Sequence, residues 1–493
     1  MMSAQLPFTG RILILGFGGV AQCTLPLLLK NLAVSPTQIT VMDMVDKREQ
    51  LKTYLQQGLT FRYERLTREH LGSQLSAVLS RGDLFVDLAW NIACTDLLDW
   101  CHKNGVLYIN TSIELWDPYA GRESSGPCDQ TLYVRHMAIR DLVRSWKDRP
   151  GPTAVVEHGA NPGLVSHFTK QALLDIGEKL IGEKPHDPRR EAIDYAIRYE
   201  DFATLASLLH VQTIHISEID TQIAHTPHDP HTFLNTWSVE GFREEGTAPA
   251  EMGWGTHEKT LPPDAHVHAT GPKNQICLKR FGINTCVKSR VPSQEIVGMI
   301  IRHGEAFTLS DALTLWNDDG TVAHRPTVHY AYCPCAESLR SFEDLRARNF
   351  APQEQWRILG DDIRSGIDEL GVLLMGHDYK AWWMGTVLSI EEARRHVPGQ
   401  NATTLQVAAS VMAAVRWMIR HPEKGVNIPD QLPHREILQA AASYLGELPS
   451  IPIDWTPTGR PVDESTWQFA NFLTDEKPHG KVFRPQLEVR MGV

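Results

Sequence analysis

The stretch RILILGFGGVAQ, residues 11–22, decides the fold of the first part of the chain. Apolar residues lead into a glycine-rich turn, and the turn leads into a segment with helical character. This order is typical of a buried strand followed by a helix. Residues Gly16 to Ala21 match the pattern G-x-G-x-x-A, which is typical of a loop that cradles the phosphates of a dinucleotide.

Each small residue of this loop has a physical reason. Gly16 permits a tight turn, Gly18 lets the backbone approach a pyrophosphate, and Ala21 allows the helix to pack closely on the strand. Free N–H groups at the helix start face the phosphates. The residues expected to contact the cofactor here are Gly16, Phe17, Gly18, Gly19 and Val20. A glycine-rich turn without a ligand is the alternative interpretation.

Asp43 ends the next predicted strand, QITVMD, residues 38–43. A carboxylate at this place accepts hydrogen bonds from ribose hydroxyl groups and repels a 2′-phosphate. The sequence therefore predicts NAD rather than NADP as the cofactor.

Strand and helix patterns alternate from residue 11 to residue 113. Strands separated by helices of about a dozen residues predict parallel pairing with right-handed crossovers. We therefore expect an α/β protein in which residues 1–155 form a Rossmann-type, doubly wound parallel sheet that binds NAD. Residues 156–395 have a mixed pattern and predict a second, α+β catalytic and dimerisation domain, with strand candidates at 213–220, 275–280 and 295–309. Residues 396–493 begin with a long helix, 401–420, which is expected to pack back on the first domain.

Composition narrows the classes of partner. The net charge of −11 disfavours nucleic acid and is compatible with a cationic substrate. Eight cysteines in 493 residues are too few for a disulfide framework, which favours a reducing compartment. The N-terminus lacks a secretory pattern, and no apolar run is long enough to suggest a membrane span. We therefore expect a cytoplasmic protein with no membrane partner.

A metal site is not predicted. His324, His329, Cys333 and Cys335 lie close together in the sequence, but their spacing matches no standard zinc pattern.

Several polar residues stand inside apolar or strand-like runs of the second domain. Glu218 lies within TIHISEID, Trp237 within FLNTWSVEGF, and Asp368 before an apolar segment. His303 and Glu305 share one face if residues 295–309 form a strand. Taken singly, Trp237 fits a core residue and Asp368 a helix N-cap. Together these residues supply acids, a histidine and an indole face, which is what recognition of an ammonium group requires.

Long strings in the sequence carry a resemblance to a known family. They are GFGGVAQCTLPLL, GANPGLVSHFTKQALLD, FLNTWSVEGF, PAEMGWGTHEK, RPTVHYAY, IDELGVLLMGHD, LSIEEAR, QNATTLQV and DWTPTGRP. The chain resembles the bacterial-type, NAD-dependent homospermidine synthases over nearly its whole length. More distantly, it is similar to saccharopine and carboxynorspermidine dehydrogenases, which share the plan of a Rossmann domain followed by a catalytic domain.

The resemblance implies a reaction that borrows a hydride and returns it. Putrescine is oxidised to an imine, ammonia leaves, a second putrescine forms a Schiff base, and re-reduction gives homospermidine. The net reaction is redox-neutral, so such an enzyme is a transferase. The resemblance also implies a homodimer.

Roles for individual residues also come from the resemblance. It implies that Trp237 holds the substrate ammonium through its ring, and that Glu218 and Glu305 bind the inner amino group and transfer protons, with His303 beside them. It implies that Asn161 orients the substrate near the nicotinamide, and that Asp368 and Glu114 contact the amine nearer the entrance. The further cofactor contacts that it implies are Ala89, Asn91, Thr111, Ser112 and Asn161.

Two other functions remain open at this point. A saccharopine- or carboxynorspermidine-type dehydrogenase would act on an amino-acid-derived imine and would need arginine near the substrate carboxylate. The motif strings show glutamate and tryptophan instead, which favours a diamine. A non-catalytic NAD-binding sensor would need no buried acids.

Overall fold

The computed structural model describes residues 5–225 and 227–480. Its first sheet has seven parallel strands, and the predicted strand–helix alternation up to residue 113 is present. Strands β1 to β6 are Ile12–Leu15, Ile39–Asp43, Thr60–Tyr63, Leu84–Asp87, Leu107–Asn110 and Ala154–Val155. They lie in the order β6-β5-β4-β1-β2-β3, and the short strand Val426–Asn427 pairs with the outer side of β6.

The helices between these strands cover both faces of the sheet. Helices α1 to α6 are Gly19–Asn31, Arg48–Gln56, Leu71–Ser76, Cys94–Asn104, Leu132–Ser145 and Leu164–Glu183. All four residues of β1 are buried. Ile12 and Ile14 join the core that contains α1, whereas Leu13 and Leu15 join the core that contains α3 and α4. Successive strand residues point to opposite faces, so a run that is apolar at every position needs cover on both sides. The doubly wound arrangement is confirmed.

The second sheet is mixed and has twelve strands. Strands β7 to β18 are Thr213–Asp220, Pro249–Gly253, Ala265–Val267, Gln275–Phe281, Cys286–Arg290, Glu295–Met299, Thr327–Cys333, Ile367–Met375, Ala381–Ser389, Ser450–Ile453, Leu473–Thr474 and His479–Gly480. Its main path is β9-β10-β8-β13-β7-β14-β15-β16, in which β7 and β13 are parallel neighbours and the other pairs are antiparallel.

Nine further α-helices lie in the described part of the chain. Helices α7 to α15 are Arg190–Tyr199, Phe202–Leu208, Val239–Gly246, Glu305–Ala312, Ala336–Ala347, Ile390–His396, Ala402–Arg420, His434–Ala441 and Phe469–Phe472. A short parallel pair, Thr232–Asn235 with Gln355–Ile358, lies apart from the large sheets.

The prediction of one strand over 295–309 is wrong. Strand β12 ends at Met299, and helix α10 begins at Glu305. Between them the chain turns so that Gly304 lies against the Glu157 carboxylate, where a Cβ would collide. The alternation of an apolar run cannot separate a strand from a buried helix. His303 and Glu305 therefore do not share a strand face.

The last part of the chain contributes to both sheets. Helix α13 packs against α1, and the Arg416 guanidinium donates to the Asn31 carbonyl at the end of α1 at 2.9 Å. Strands β16 to β18 then join the second sheet, so the described part of the chain after residue 396 combines helices with strands. Residues 481–493 lie outside the described residues.

Helix α13 has the length and apolar composition of a membrane span, contrary to the expectation from the sequence. However, 89 % of its most apolar window is buried inside the fold. Within residues 5–225 and 227–480, no group of three or more His, Cys, Asp or Glu residues could hold a metal ion.

The packing of α13 on α1 can be tested at Leu405. This side chain is fully buried in the cluster that holds Leu25 and Leu28 of α1. Leu405→Ala is expected to lower the free energy of unfolding by about 2–5 kcal/mol, because it removes buried methyl groups and leaves a cavity. Leu261→Ala is the matched control, since Leu261 is 46 % exposed. Urea unfolding followed by tryptophan fluorescence makes the comparison. Equal midpoints for the two variants would contradict this account of the core.

Candidate active site

The glycine loop forms one wall of a groove at the carboxyl ends of β1, β2 and β4. Gly16 has φ of +79°, and a Cβ there would stand 2.9 Å from Ala89 Cα and from the Leu88 carbonyl oxygen. A Cβ on Gly18 would meet nothing within 4 Å, because that side of the residue faces the open groove. The groove has a volume of about 490 Å³. Its shape leaves the backbone of the loop accessible to a ligand.

Asp43, the last residue of β2, accepts hydrogen bonds that connect the glycine loop to this strand. Its Oδ2 accepts from Phe17 N–H and its Oδ1 accepts from Val45 N–H, each at 2.7 Å. The carboxylate lies in the groove wall, where it carries remaining lone pairs for a ligand hydroxyl. Lys47 and Arg65 also line this end of the groove, and the Arg65 guanidinium is 3.2 Å from the Met44 sulfur.

The groove leads into a second, deeper cavity of about 140 Å³. Residues that line both spaces are Val20, Leu88, Ala89, Trp90 and Ser238. The cavity lies between the two large sheets and is rich in acids. Its carboxyl groups belong to Glu114, Glu157, Glu218, Glu244 and Glu245. A ligand that fills the groove would therefore end beside a buried acidic chamber.

Glu218 and Asn161 meet in this cavity. Glu218 belongs to β7, and its Oε2 accepts from Asn161 Nδ2 at 2.9 Å and from the Tyr330 hydroxyl. Burial raises the pKa of Glu218 to about 8, against the lowering effect of the Tyr330 hydrogen bond. The carboxyl group therefore titrates near neutral pH.

Trp237 lines the same cavity from the end of a short strand. The indole N–H donates to the Tyr332 hydroxyl at 3.2 Å, and the ring packs on Phe242 with centroids 5.3 Å apart. Tyr332 stacks on Tyr330 at 5.1 Å. Aromatic neighbours thus hold the indole in one orientation while part of its surface remains open to the cavity.

His303 also lines the cavity. Its ring meets Tyr330 edge-on at 4.4 Å between centroids, and its Nε2 is 3.7 Å from Glu245 Oε2. Burial lowers the pKa of His303 to about 3, so the imidazole is neutral at neutral pH. Burial raises the pKa of Glu245 well above its ordinary value.

Glu114 closes another side of the cavity, near the end of β5. Its Oε1 accepts from Ser112 Oγ at 2.9 Å and its Oε2 from Asn91 N–H at 3.3 Å. Burial, and then the nearby Glu244 carboxylate, raises the pKa of Glu114. Thr111 lines the cavity beside Ser112, whereas Asn91 lines the groove.

Glu305 and Asp368 lie behind the cavity wall. Glu305 is buried at the start of α10, and neither carboxyl oxygen has a hydrogen-bond partner among the described residues. Asp368 is fully buried on β14, opposite Asp220 of β7, and accepts from Thr403 Oγ1 at 2.5 Å. This place differs from the expected entrance position and from a helix cap, because β14 runs through the middle of the sheet.

Five charged residues of the cavity were missed by the sequence reasoning: Glu157, Glu244, Glu245, Arg135 and Arg302. Glu157 follows β6 by two residues and pairs with His136, Oε2 to Nε2 at 2.7 Å. Its place just beyond a parallel strand was a usable signal, because ligands bind at the carboxyl ends of such strands. The motif strings indicated glutamate and tryptophan at the substrate site, and the structure adds Arg135 and Arg302 to the cavity wall.

Both arginines, however, are already paired by a side chain of the protein. Arg135 Nη2 donates to Glu244 Oε1 at 2.9 Å, and Arg302 Nη2 donates to Glu244 Oε2. Glu244 belongs to α9. The sequence reasoning missed it, although only Arg243 separates it from the end of the quoted string FLNTWSVEGF.

Two family models match the chain. The saccharopine dehydrogenase NADP binding domain matches residues 12–155, and the saccharopine dehydrogenase C-terminal domain matches residues 159–451. A homospermidine synthase from Mesorhizobium japonicum is 36 % identical over 479 residues, which are 94 % of this chain and 96 % of the relative. The chain belongs to the homospermidine synthase family.

Two further relatives agree. A homospermidine synthase from Blastochloris viridis is 38 % identical over 481 residues, 94 % of this chain and 97 % of that protein. The crystal structure of the homospermidine synthase from Legionella pneumophila in complex with NAD superposes with a TM-score of 0.83 at 36 % identity, covering 95 % of this chain and 99 % of that one. The resemblance to this family that the sequence strings carry is confirmed.

The raised pKa of Glu218 makes a prediction about stability. The folded protein holds a proton that the unfolded chain releases above its ordinary pKa of 4.5, so the wild type loses stability as the pH rises toward about 8. One such group can lower the free energy of unfolding by at most about 1.4 kcal/mol per pH unit. Glu218→Gln has no such proton to lose. Its melting temperature is expected to rise relative to the wild type between about pH 5 and pH 8.

Glu49→Gln is the control for this series, because Glu49 has an 88 % exposed side chain. Its melting curve is expected to run parallel to that of the wild type. A parallel curve for Glu218→Gln as well would show that Glu218 titrates at its ordinary pKa.

Proposed function

We propose that this protein is an NAD-dependent homospermidine synthase that converts two putrescine molecules into homospermidine and ammonia. One observation carries the proposal: a dinucleotide groove ends at a cavity that is lined with carboxyl groups and with the indole rings of Trp90 and Trp237. A diamine brings two ammonium charges, and carboxylates and an aromatic face are the groups that bind them. Membership of the family supports the same substrate.

The residues of the groove fit NAD. The open side of Gly18 admits a phosphate to the loop backbone, and Asp43 offers a carboxylate for ribose hydroxyls. The same carboxylate disfavours a 2′-phosphate, although one family model is named for NADP. Ala89, Asn91, Thr111, Ser112 and Asn161 would complete the contacts. When bound, NAD accepts a hydride from the amine-bearing carbon of putrescine and later returns it.

Proton transfer falls to the acids of the cavity. Glu218 holds a proton up to about pH 8, so its carboxyl group can give or take one near neutral pH. His303 is uncharged beside these acids, and its imidazole can take part in a hydrogen bond to the substrate amine. Asn161, through its hydrogen bond to Glu218, orients that carboxyl group at the mouth of the groove. Glu305 lies buried behind the wall, where burial raises its pKa well above the ordinary value, so it can hold a proton near Glu218.

Substrate binding falls to Trp237, with Glu114 nearer the groove. The indole face attracts an ammonium group by about 0.5–2 kcal/mol. Asp368 lies behind the wall on β14, where burial raises its pKa well above the ordinary value, and it supports the site through its hydrogen bond from Thr403 rather than by direct contact. The cavity opens into the groove, and bound NAD would fill that groove and so shield an imine of the substrate from water.

The proposal includes a setting for the enzyme. Residues 1–155 bind the cofactor, residues 156–395 carry catalysis and dimerisation, and residues 396–493 join the two parts. The protein acts as a cytoplasmic homodimer without a nucleic-acid or membrane partner, which is consistent with its net charge of −11.

The overall reaction is tested with putrescine and a catalytic amount of NAD. We expect many homospermidine molecules per NAD, identified by mass, with no steady accumulation of the reduced cofactor in its absorbance band. The reason is that each hydride removed is returned. Reduced cofactor formed in proportion to product would instead identify a net dehydrogenase, and no reaction with any amine would identify a binding protein.

Trp237 is tested by three substitutions. If its ring attracts a cation, Trp237→Phe keeps part of kcat/KM, because a benzene face also has a quadrupole. Trp237→Ala and Trp237→Leu are expected to lose roughly tenfold or more, although leucine preserves apolar bulk. A purely structural role predicts another order, in which loss follows cavity volume and appears as a lower melting temperature. Phe-like catalysis by the leucine variant would remove Trp237 from the substrate site.

A further inference from the structure

Three guanidinium groups converge on the carboxylate of Glu244. Arg122 Nη2 and Arg135 Nη2 donate to its Oε1 at 2.8 Å and 2.9 Å, and Arg302 Nη2 donates to its Oε2. Glu244, Arg135 and Arg302 line the acidic cavity. Burial raises the pKa of Glu244, but the three guanidinium groups outweigh this effect and hold it below its ordinary value.

The arginines are held in place independently of Glu244. Arg135 Nη1 donates to the Ile113 carbonyl and Arg302 Nη1 to the Gln130 carbonyl, both at 2.7 Å. Arg122 Nε donates to the Pro118 carbonyl at 2.8 Å. Arg302 is 1 % exposed and Arg135 is 8 % exposed, so their guanidinium groups depend on partners within the protein. These guanidinium groups form a rigid frame around one carboxylate.

Such a frame is how a protein recognises the carboxylate of a ligand. Here the carboxylate belongs to the chain itself. We propose that Glu244 is a specificity-determining residue, because its carboxylate occupies an anion site at the edge of the substrate cavity. A substrate with its own carboxylate finds that site filled, whereas the ammonium groups of a diamine need no anion site. The statement about substrate discrimination rests on the proposed function, whereas the anion site does not.

The anion site can be tested without turnover. In Glu244→Ala, with NAD present, added acetate is expected to raise the melting temperature saturably by about 2 °C or more over equal chloride. Acetate should then occupy the space between the three guanidinium groups. The wild type is expected to respond to acetate and chloride alike.

Glu258→Ala is the matched control. Glu258 is also buried, but its carboxylate accepts from Thr327 Oγ1 and Phe469 N–H instead of from guanidinium groups. It lies outside the cavity wall. Its loss should leave no site for acetate, so its melting temperature should not distinguish acetate from chloride. An equal response of both alanine variants would overturn the anion site.

A double variant covers the case in which Glu244→Ala does not fold. Arg122→Met with Glu244→Ala removes the most exposed guanidinium, which is 17 % exposed, and leaves the two buried ones to bind acetate. If neither variant gains stability from acetate over chloride, the inference is wrong.

Specificity is measured with 4-aminobutanoate, which carries a carboxylate in place of one amine of putrescine. In calorimetric titration of the NAD complexes, Glu244→Ala is expected to bind 4-aminobutanoate at least tenfold more tightly than the wild type does. Unchanged binding would remove Glu244 as a specificity determinant. Both readouts are independent of homospermidine formation, so a wild type that makes no homospermidine would contradict only the proposed function.

Discussion

Five carboxyl groups share one small cavity between the two sheets, and the rest of the structure depends on how their burial is compensated. An isolated buried carboxylate is strongly unfavourable unless it is paired, hydrogen-bonded or protonated. The chain uses all three solutions. Glu244 is ionised within three guanidinium groups, Glu157 is paired with His136, and Glu218 holds a proton beside Tyr330. An acidic chamber for a cationic substrate thus coexists with a stable fold.

The position of the chamber follows from the topology. In a parallel sheet, all carboxyl ends lie at one edge, so the turns after β4, β5 and β6 bring Ala89, Thr111 and Glu157 to the same place. The second sheet contributes through its one parallel pair. Strands β7 and β13 run side by side, and Glu218 of β7 receives the hydroxyl of Tyr330 from β13. The cofactor groove and the acids therefore face each other.

Contacts between distant parts of the chain hold this arrangement. Arg122 and Arg135 precede β6, the last strand of the first domain. Glu244 and Arg302 follow β7, the first strand of the second sheet. Helix α13 adds a second connection by packing on α1. A reaction that removes a hydride and returns it requires the substrate to stay beside the cofactor, and a chamber braced from both sheets provides that constraint.

The sequence by itself determined the first sheet, the glycine loop, the place of Asp43 and the family, because these rest on local patterns and on long characteristic strings. It also named Glu218, Trp237, His303, Asn161 and Glu114, which the structure brings to one cavity. Only the tertiary structure decided that residues 295–309 bend from strand to helix, and that Glu305 and Asp368 stand behind the wall.

Tertiary structure alone also decided which charges meet. The pairing of Glu244 with Arg122, Arg135 and Arg302 joins segments that are far apart in the sequence, and no local period encodes it. The same holds for the pKa of Glu218, which depends on the burial of its carboxyl group. Most of the secondary structure in the first domain follows from neighbours along the chain, whereas charge state and specificity follow from neighbours in space.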